Sequence, residues 1–277
     1  MSTDTSPKYE VDARLLKLTF PRVLKSEILK LRTLRSTWIM LLAMLTLFIA
    51  FGALAALSTT GQLESSNGRR PQAFALDPVT TVLAGAGFAV LLMSVFGVLS
   101  GAREYGSGMI RATLSFVPKR LYVLWAKTIA LLIFVIPVTL IAAFGAFVLG
   151  MAVLNGAGSE TVAFTDPDAQ RVLFGTAANI TGLAIIGLAL GMAMRSMPGA
   201  IATVIGGVLI LPALLTALLP ESWRSVLKFL PSNAAAAFTE VNVRSDMLPL
   251  SPGIAVFIAW VALSLGIAGF LLVRRDA

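Results

Sequence analysis

The sequence predicts an all-α integral membrane protein: six transmembrane helices, an N-terminal amphipathic interfacial helix, and both termini in the cytoplasm. Three observations carry this. First, 57% of the 277 residues are hydrophobic, only 13% are charged, and mean hydropathy is +0.87. Ordinary soluble domains carry about 25% charged residues, and a water-soluble fold of this size has no interior able to hide so much apolar surface, so a soluble globular enzyme is excluded. Second, the apolar residues fall in continuous runs rather than alternating with period two, which favours helices over a β-barrel. Third, the charges are distributed unevenly about those runs.

A helix crosses the hydrocarbon core with about 20 residues. Six runs qualify, at 37–58, 79–102, 121–154, 169–194, 199–219 and 252–273. The first is preceded by a polar segment of 36 residues and is itself too long for a cleaved signal, so it reads as a retained span. Placing both termini on one side gives that side sixteen Lys/Arg and the other six. Positive-inside bias then places both ends in the cytoplasm. The cationic excess sits on short segments beside the membrane, where it meets anionic headgroups, and no recognition-helix or zinc-finger pattern marks a nucleic-acid partner.

Two domains follow: a cytoplasmic tail and interfacial helix over 1–36, and a six-helix membrane domain over 37–277. Within 21–35, Leu24, Ile28, Leu31 and Leu34 share a face, with Arg22, Lys25, Lys30 and Arg32 around the rest. Pro21 suits a first helical turn. Such a basic amphipathic helix is expected to lie among the headgroups with its apolar face down.

The loop 103–120 reads R-E-Y-G-S-G-M-I-R-A-T-L-S-F-V-P-K-R. Glu104 is its only acid, Gly106 and Gly108 permit a tight turn, and 109–116 is expected to form a short helix stopped at Pro118. The external connection 220–251 is expected to hold two short helices broken at Pro231–Ser232, dipping into the outer leaflet. Trp223 suits an interfacial position there.

What is missing narrows the chemistry. The chain has no Cys and no His, which removes disulfides, thiolate and imidazole metal sites, and His-dependent nucleophilic dyads. No Asp or Glu lies within the six runs, so neither an ion-coupled carrier nor an aspartyl intramembrane protease finds its midplane acid. Lys127 and Arg171 lie near span ends and are expected to snorkel. Gly187 and Gly191, Gly85 and Gly87, and Gly206–Gly207 favour close helix packing. Asn179, deep in the fourth run, is expected to bond a neighbouring helix. Pro137 and Pro212 are expected to kink the third and fifth spans.

The basic pre-span helix ending L-R-S-T-W, the six spans, the R-E-Y-G-S-G-M-I-R-A-T-L loop and the P-S-N-A-A stretch together resemble an ABC-2-type ABC transporter permease over essentially the whole chain. The resemblance implies a permease in a bacterial plasma membrane, paired with a second copy or a related permease, surrounded by lipid and served by an ABC ATPase subunit dimer. It implies that the loop 103–120 docks the ATPase, with Arg103, Glu104, Tyr105, Ser107 and Arg111 as docking residues. It also implies a substrate path along the second and fifth spans, where Phe88, Met93, Phe96, Thr203 and Thr216 suit an apolar or amphipathic cargo moving outward. The chain has no G-x-x-x-x-G-K-[ST] loop. It is therefore expected to be no enzyme and to carry no cofactor, with ATP and Mg on the partner. A docking scaffold or immunity subunit is the competing reading, and an ion-coupled secondary carrier a third.

Overall fold

The computed structural model describes residues 19–60, 77–106, 108–109, 120–220, 223, 226–242 and 247–274. Every regular element among them is helical. In chain order these are α1 (Phe20–Thr33), α2 (Arg35–Thr59), α3 (Pro78–Val82), α4 (Ala86–Gly106), α5 (Arg120–Gly156), α6 (Pro167–Met194), α7 (Met197–Ala202), a π-helical segment (Thr203–Ile210), α8 (Leu211–Leu218), α9 (Pro231–Thr239) and α10 (Leu250–Arg274). Five of them, α2, α4, α5, α6 and α10, are long and apolar enough to cross a membrane.

The second and fifth expected spans depart from single α-helices. The run at 79–102 divides into α3, a turn, and α4. Asp77 caps α3, its carboxylate accepting from the Val79 and Thr80 amides at 3.3 and 2.9 Å. The turn at 83–85 brings Gly85 against the Phe48 backbone, leaving no room for a Cβ. The fifth run is a continuous helical path over 197–218 built from α7, the π segment and α8, so no single α-helix there reaches spanning length. The Leu211 amide bonds back to the Gly206 carbonyl, five residues earlier.

α6 is the most enclosed helix and the axis of the fold. It lies along α4 with both chains running the same way, and glycines on both helices make the approach possible. Gly187 and Gly191 of α6 meet the Ser94 and Val98 backbone, while Gly97 and Gly101 of α4 meet Ala184 and Leu188. This reciprocal pair of GxxxG faces replaces side-chain interdigitation with backbone contact. The α4 half of it is absent from the sequence reading, which noted Gly85 and Gly87 instead.

α1 is present, but its inward stripe differs from the expected one. Phe20, Val23, Leu24, Glu27 and Leu31, which share one face at the helical period, face the bundle. They pack on α5, with Phe20 edge-on to Tyr122 at 5.6 Å. Ile28 lies beside this stripe rather than in it. At Leu34 the backbone turns extended, and the Trp38 indole N–H closes the corner on the Arg32 carbonyl at 2.9 Å. α5 has 37 residues, about 55 Å at 1.5 Å per residue. That exceeds the roughly 30 Å hydrocarbon thickness, and α1 packs on its surplus N-terminal turns. Pro137 lies inside α5 without ending it.

Candidate functional site

Two regions hold the chemistry of this chain: a closed ring of charges at the α1 end of the bundle, and a broken helix with a hairpin halfway along it.

The ring joins four residues from three helices. Lys30 of α1 donates to Glu27 Oε1 at 2.6 Å and to Glu104 Oε1 of α4 at 2.7 Å. Lys127 of α5 donates to Glu27 Oε2 at 2.9 Å and to Glu104 Oε1 at 2.8 Å. Each lysine therefore bridges both carboxylates, and the signs alternate around the circuit. Glu27, Glu104 and Lys127 are each only 5% exposed. Ions so far out of water persist only when paired, and removing one partner of such a buried pair typically costs about 3–5 kcal/mol. Burial pulls the Lys30 ammonium toward deprotonation, but the hydrogen bonds it donates to Glu104 and Glu27 and their negative charge outweigh it and hold its pKa above the ordinary 10.5.

This arrangement corrects two expectations. Lys127 does not snorkel; its ammonium turns inward to the two carboxylates. Glu104 does not face outward toward a docking partner; α4 continues to Gly106, and its last turns carry Glu104 to the inside of the helix. Glu27 escaped the sequence reading altogether. Its signal was present, since it is the only acid between Pro21 and Arg35 and lies on the apolar side of the helix.

The other expected docking residues separate. Arg103 is exposed and donates to Ser36 Oγ at 3.2 Å. Tyr105 is half-buried, with the Arg195 guanidinium 5.4 Å from its ring centre. Arg195 is itself the left-handed C-cap of α6, at φ 56°, so the α6–α7 turn lies beside the end of α4. Ser107, Arg111 and nearly all of the expected 109–116 helix lie outside the described residues.

At the other region, α9 and the residues before it fold back against α6, α10 and the π segment. The Trp260 indole donates to the Phe229 carbonyl at 2.8 Å. Trp260 lies ten residues into α10, about 15 Å along its axis. Ser232 Oγ donates at 2.6 Å to the carbonyl of Val208, near the centre of the 197–218 path. The tip of this hairpin at 229–232 therefore stands halfway along the bundle. Pro212 explains the second contact. It has no N–H to offer the carbonyl four residues back, which is Val208, and the serine hydroxyl supplies the donor instead.

Arg171 secures the far end of α9. Its Nη1 donates to the Ala237 and Glu240 carbonyls at 3.2 and 3.0 Å, and its Nη2 to Val241 at 3.3 Å. Nε and Nη2 also reach Asp168 at 3.3 and 3.0 Å. All five guanidinium N–H groups are thus used. The expected snorkelling gives way to capping of the last carbonyls of α9.

Beneath the hairpin tip lies a cavity of about 290 Å³ between α6, the π segment and α10, walled by Leu190, Thr203, Val208, Pro231, Trp260 and Ser264 among others. Its polar side chains are satisfied within the protein. Thr203 Oγ1 bonds the Gly199 carbonyl at 2.9 Å, Ser264 Oγ the Val261 carbonyl at 2.9 Å, and Trp260 the hairpin. The wall therefore offers an apolar surface.

Of the residues expected along a path, Thr203 borders this cavity. Phe88 is 47% exposed and stacked on Phe51 at 4.1 Å. Met93 and Phe96 are instead buried within the core of the chain, Phe96 against the small cleft beside the charge ring. Helical rotation decides this, because the α4 face that carries them packs inside the bundle. Thr216 lies in α8, and its side chain lies outside the described residues. The Asn179 amide oxygen is buried and has no hydrogen-bond partner among the described residues, so the expected bond from its oxygen to a neighbouring helix is not made among them. No group of three or more acidic side chains forms a metal site among the described residues.

A helical bundle of several apolar helices of spanning length, with a broken helix and a hairpin inside it, defines a multi-pass membrane protein. The family described as ABC-2 family transporter protein matches residues 23–210, about two thirds of the chain. The chain belongs to the ABC-2 transporter family. No curated protein matches it.

Proposed function

We propose that this chain is the membrane-spanning permease subunit of an ATP-driven exporter, which forms the substrate path and docks a separate ATPase dimer through the loop 103–120. The 197–218 path serves as the sixth span, both termini and that loop face the cytoplasm, and the hairpin enters from outside. A second copy or a related permease completes the path. ATP and Mg belong to the ATPase, and the protein resides in the bacterial inner membrane.

The observation that carries this reading is the interrupted helix at 203–210 facing a hairpin tip halfway along the bundle, with an apolar cavity between them. Within lipid, irregular backbone is tolerated only where protein or a cavity encloses it, and broken helices at mid-depth are where transporters bind cargo. A docking scaffold needs neither. The apolar wall suits an apolar or amphipathic cargo. Among the docking candidates, Arg103 and Tyr105 flank the loop stem, while Glu104 supports the stem from within.

Reconstitution tests this reading. Pull-down of the tagged permease from its native membrane should capture a P-loop ATPase, and in proteoliposomes the permease should change that ATPase's turnover. Capture without any change in turnover would favour a scaffold. Dependence of transport on a sodium or proton gradient in the absence of ATP would favour a carrier.

A further inference from the structure

We propose that Glu27, Lys30 and Lys127 are positioning residues that make α1 part of the unit transmitting force from the ATPase, rather than a passive membrane anchor. This rests on the permease reading above.

The ring is a single connected network. Its four bonds, between 2.6 and 2.9 Å, close a circuit through Glu27, Lys30, Glu104 and Lys127. Glu104 lies in the last turns of α4, where the docking loop 103–120 begins, and Lys127 lies in the first turns of α5, after the loop ends. The two stems of the loop are thus bolted to each other by the Glu104–Lys127 pair. α1 contributes the other two members, so it is bolted to both stems at once. A displacement of the loop cannot move one stem alone without separating buried opposite charges. It carries α1 with it, and through the tight corner at Leu34 it reaches α2.

A helix needed only as an anchor in the headgroups has no use for an acid on its inward side. Glu27 costs desolvation there and is repaid only by the two lysines. A purely structural brace needs charge balance and little more. A transmitting ring needs all three helices tied. The two roles respond differently to neutralising one pair.

Glu27→Gln leaves two lysines against one carboxylate, and Lys127→Gln leaves the reverse. The double variant Glu27→Gln/Lys127→Gln keeps the neutral Lys30–Glu104 pair and removes the charged ties of α5 to both α1 and α4. Melting temperatures of the permease in nanodiscs are expected to fall in both single variants and to return close to wild type in the double variant. The second readout is ATP turnover by the captured permease–ATPase complex in proteoliposomes. Stimulation by the permease is expected to fall at least tenfold in the double variant despite its recovered stability, while Lys127→Arg retains it. A double variant no more stable than either single variant, or one that is stable and still couples fully, overturns the proposal. A wild-type permease that leaves ATPase turnover unchanged overturns the permease reading, and this inference with it.

Discussion

The Ser232 hydroxyl donates to the Val208 carbonyl at 2.6 Å, joining the tip of a hairpin to the centre of a helical path 24 residues earlier in the chain. Pro212, four residues after Val208, has no N–H with which to serve that carbonyl as an α-helical donor. Ser232→Ala should strand a half-buried acceptor and lower stability by about 1–3 kcal/mol. Adding Pro212→Ala restores a backbone N–H and should recover most of the loss. Thermal unfolding of the two single variants and the double in detergent gives the coupling; strictly additive losses would show that the two sites are independent.

The close approach of α4 and α6 rests on absent side chains. Gly187→Leu places a branched side chain against the Ser94 backbone. It should destabilise by more than the roughly 1–3 kcal/mol usual for overpacking, because backbone rather than a flexible side chain must yield. Gly266 of α10 has no atom within 4 Å of a built Cβ. Gly266→Ala should be neutral or stabilising by about 0.4–1 kcal/mol. Similar melting temperatures for the two variants would refute the glycine account.

Arg171→Ala removes three donated hydrogen bonds from the end of α9 and two from Asp168. Hydrogen bonds from charged groups contribute about 1.5–3 kcal/mol, so amides around 234–241 should lose about 2–3 kcal/mol of protection against hydrogen exchange. Arg171→Lys should recover only part of it, since one ammonium cannot reproduce the forked geometry. Unchanged exchange in that segment would mean that α9 is held by its apolar packing alone.

Asn179 carries an amide oxygen with no partner among the described residues of one chain. Asn179→Leu should therefore stabilise the isolated protein by about 1–3 kcal/mol by removing an unpaired polar group. A loss of stability in the same unfolding assay would reveal a partner supplied by lipid, water or another copy.

Lys30 yields a prediction with pH. Its pKa in the folded protein lies above 10.5, where the Glu104 and Glu27 hydrogen bonds outweigh desolvation. The stability it contributes is fully present below its unfolded pKa and is lost as pH rises through the folded one. Melting temperature should be insensitive to this group from pH 7 to about 10, and should fall above about 10.5. Lys30→Arg, which stays protonated, should fall less over the same range. Parallel curves for the two proteins would remove Lys30 from the ring's energetics.

Sequence alone determined the class of solvent and most of the helices. Spanning helices need long apolar runs because lipid offers the backbone no hydrogen bonds, and such runs are local and continuous. The runs at 37–58, 169–194 and 252–273 lie within two residues of α2, α6 and α10. The break at 83–85 was illegible because it depends on Gly85 meeting Phe48 of another helix, and the contact of Ser232 with the π segment because it joins residues 24 apart in the chain. The charges show the same limit. Lone Glu104 and lone Lys127 stood out in the sequence, but as a docking group and a snorkelling one. Only the tertiary structure decided that they face each other and Glu27, 100 residues before Lys127, because helical period records which face a residue occupies, and packing alone decides what that face meets.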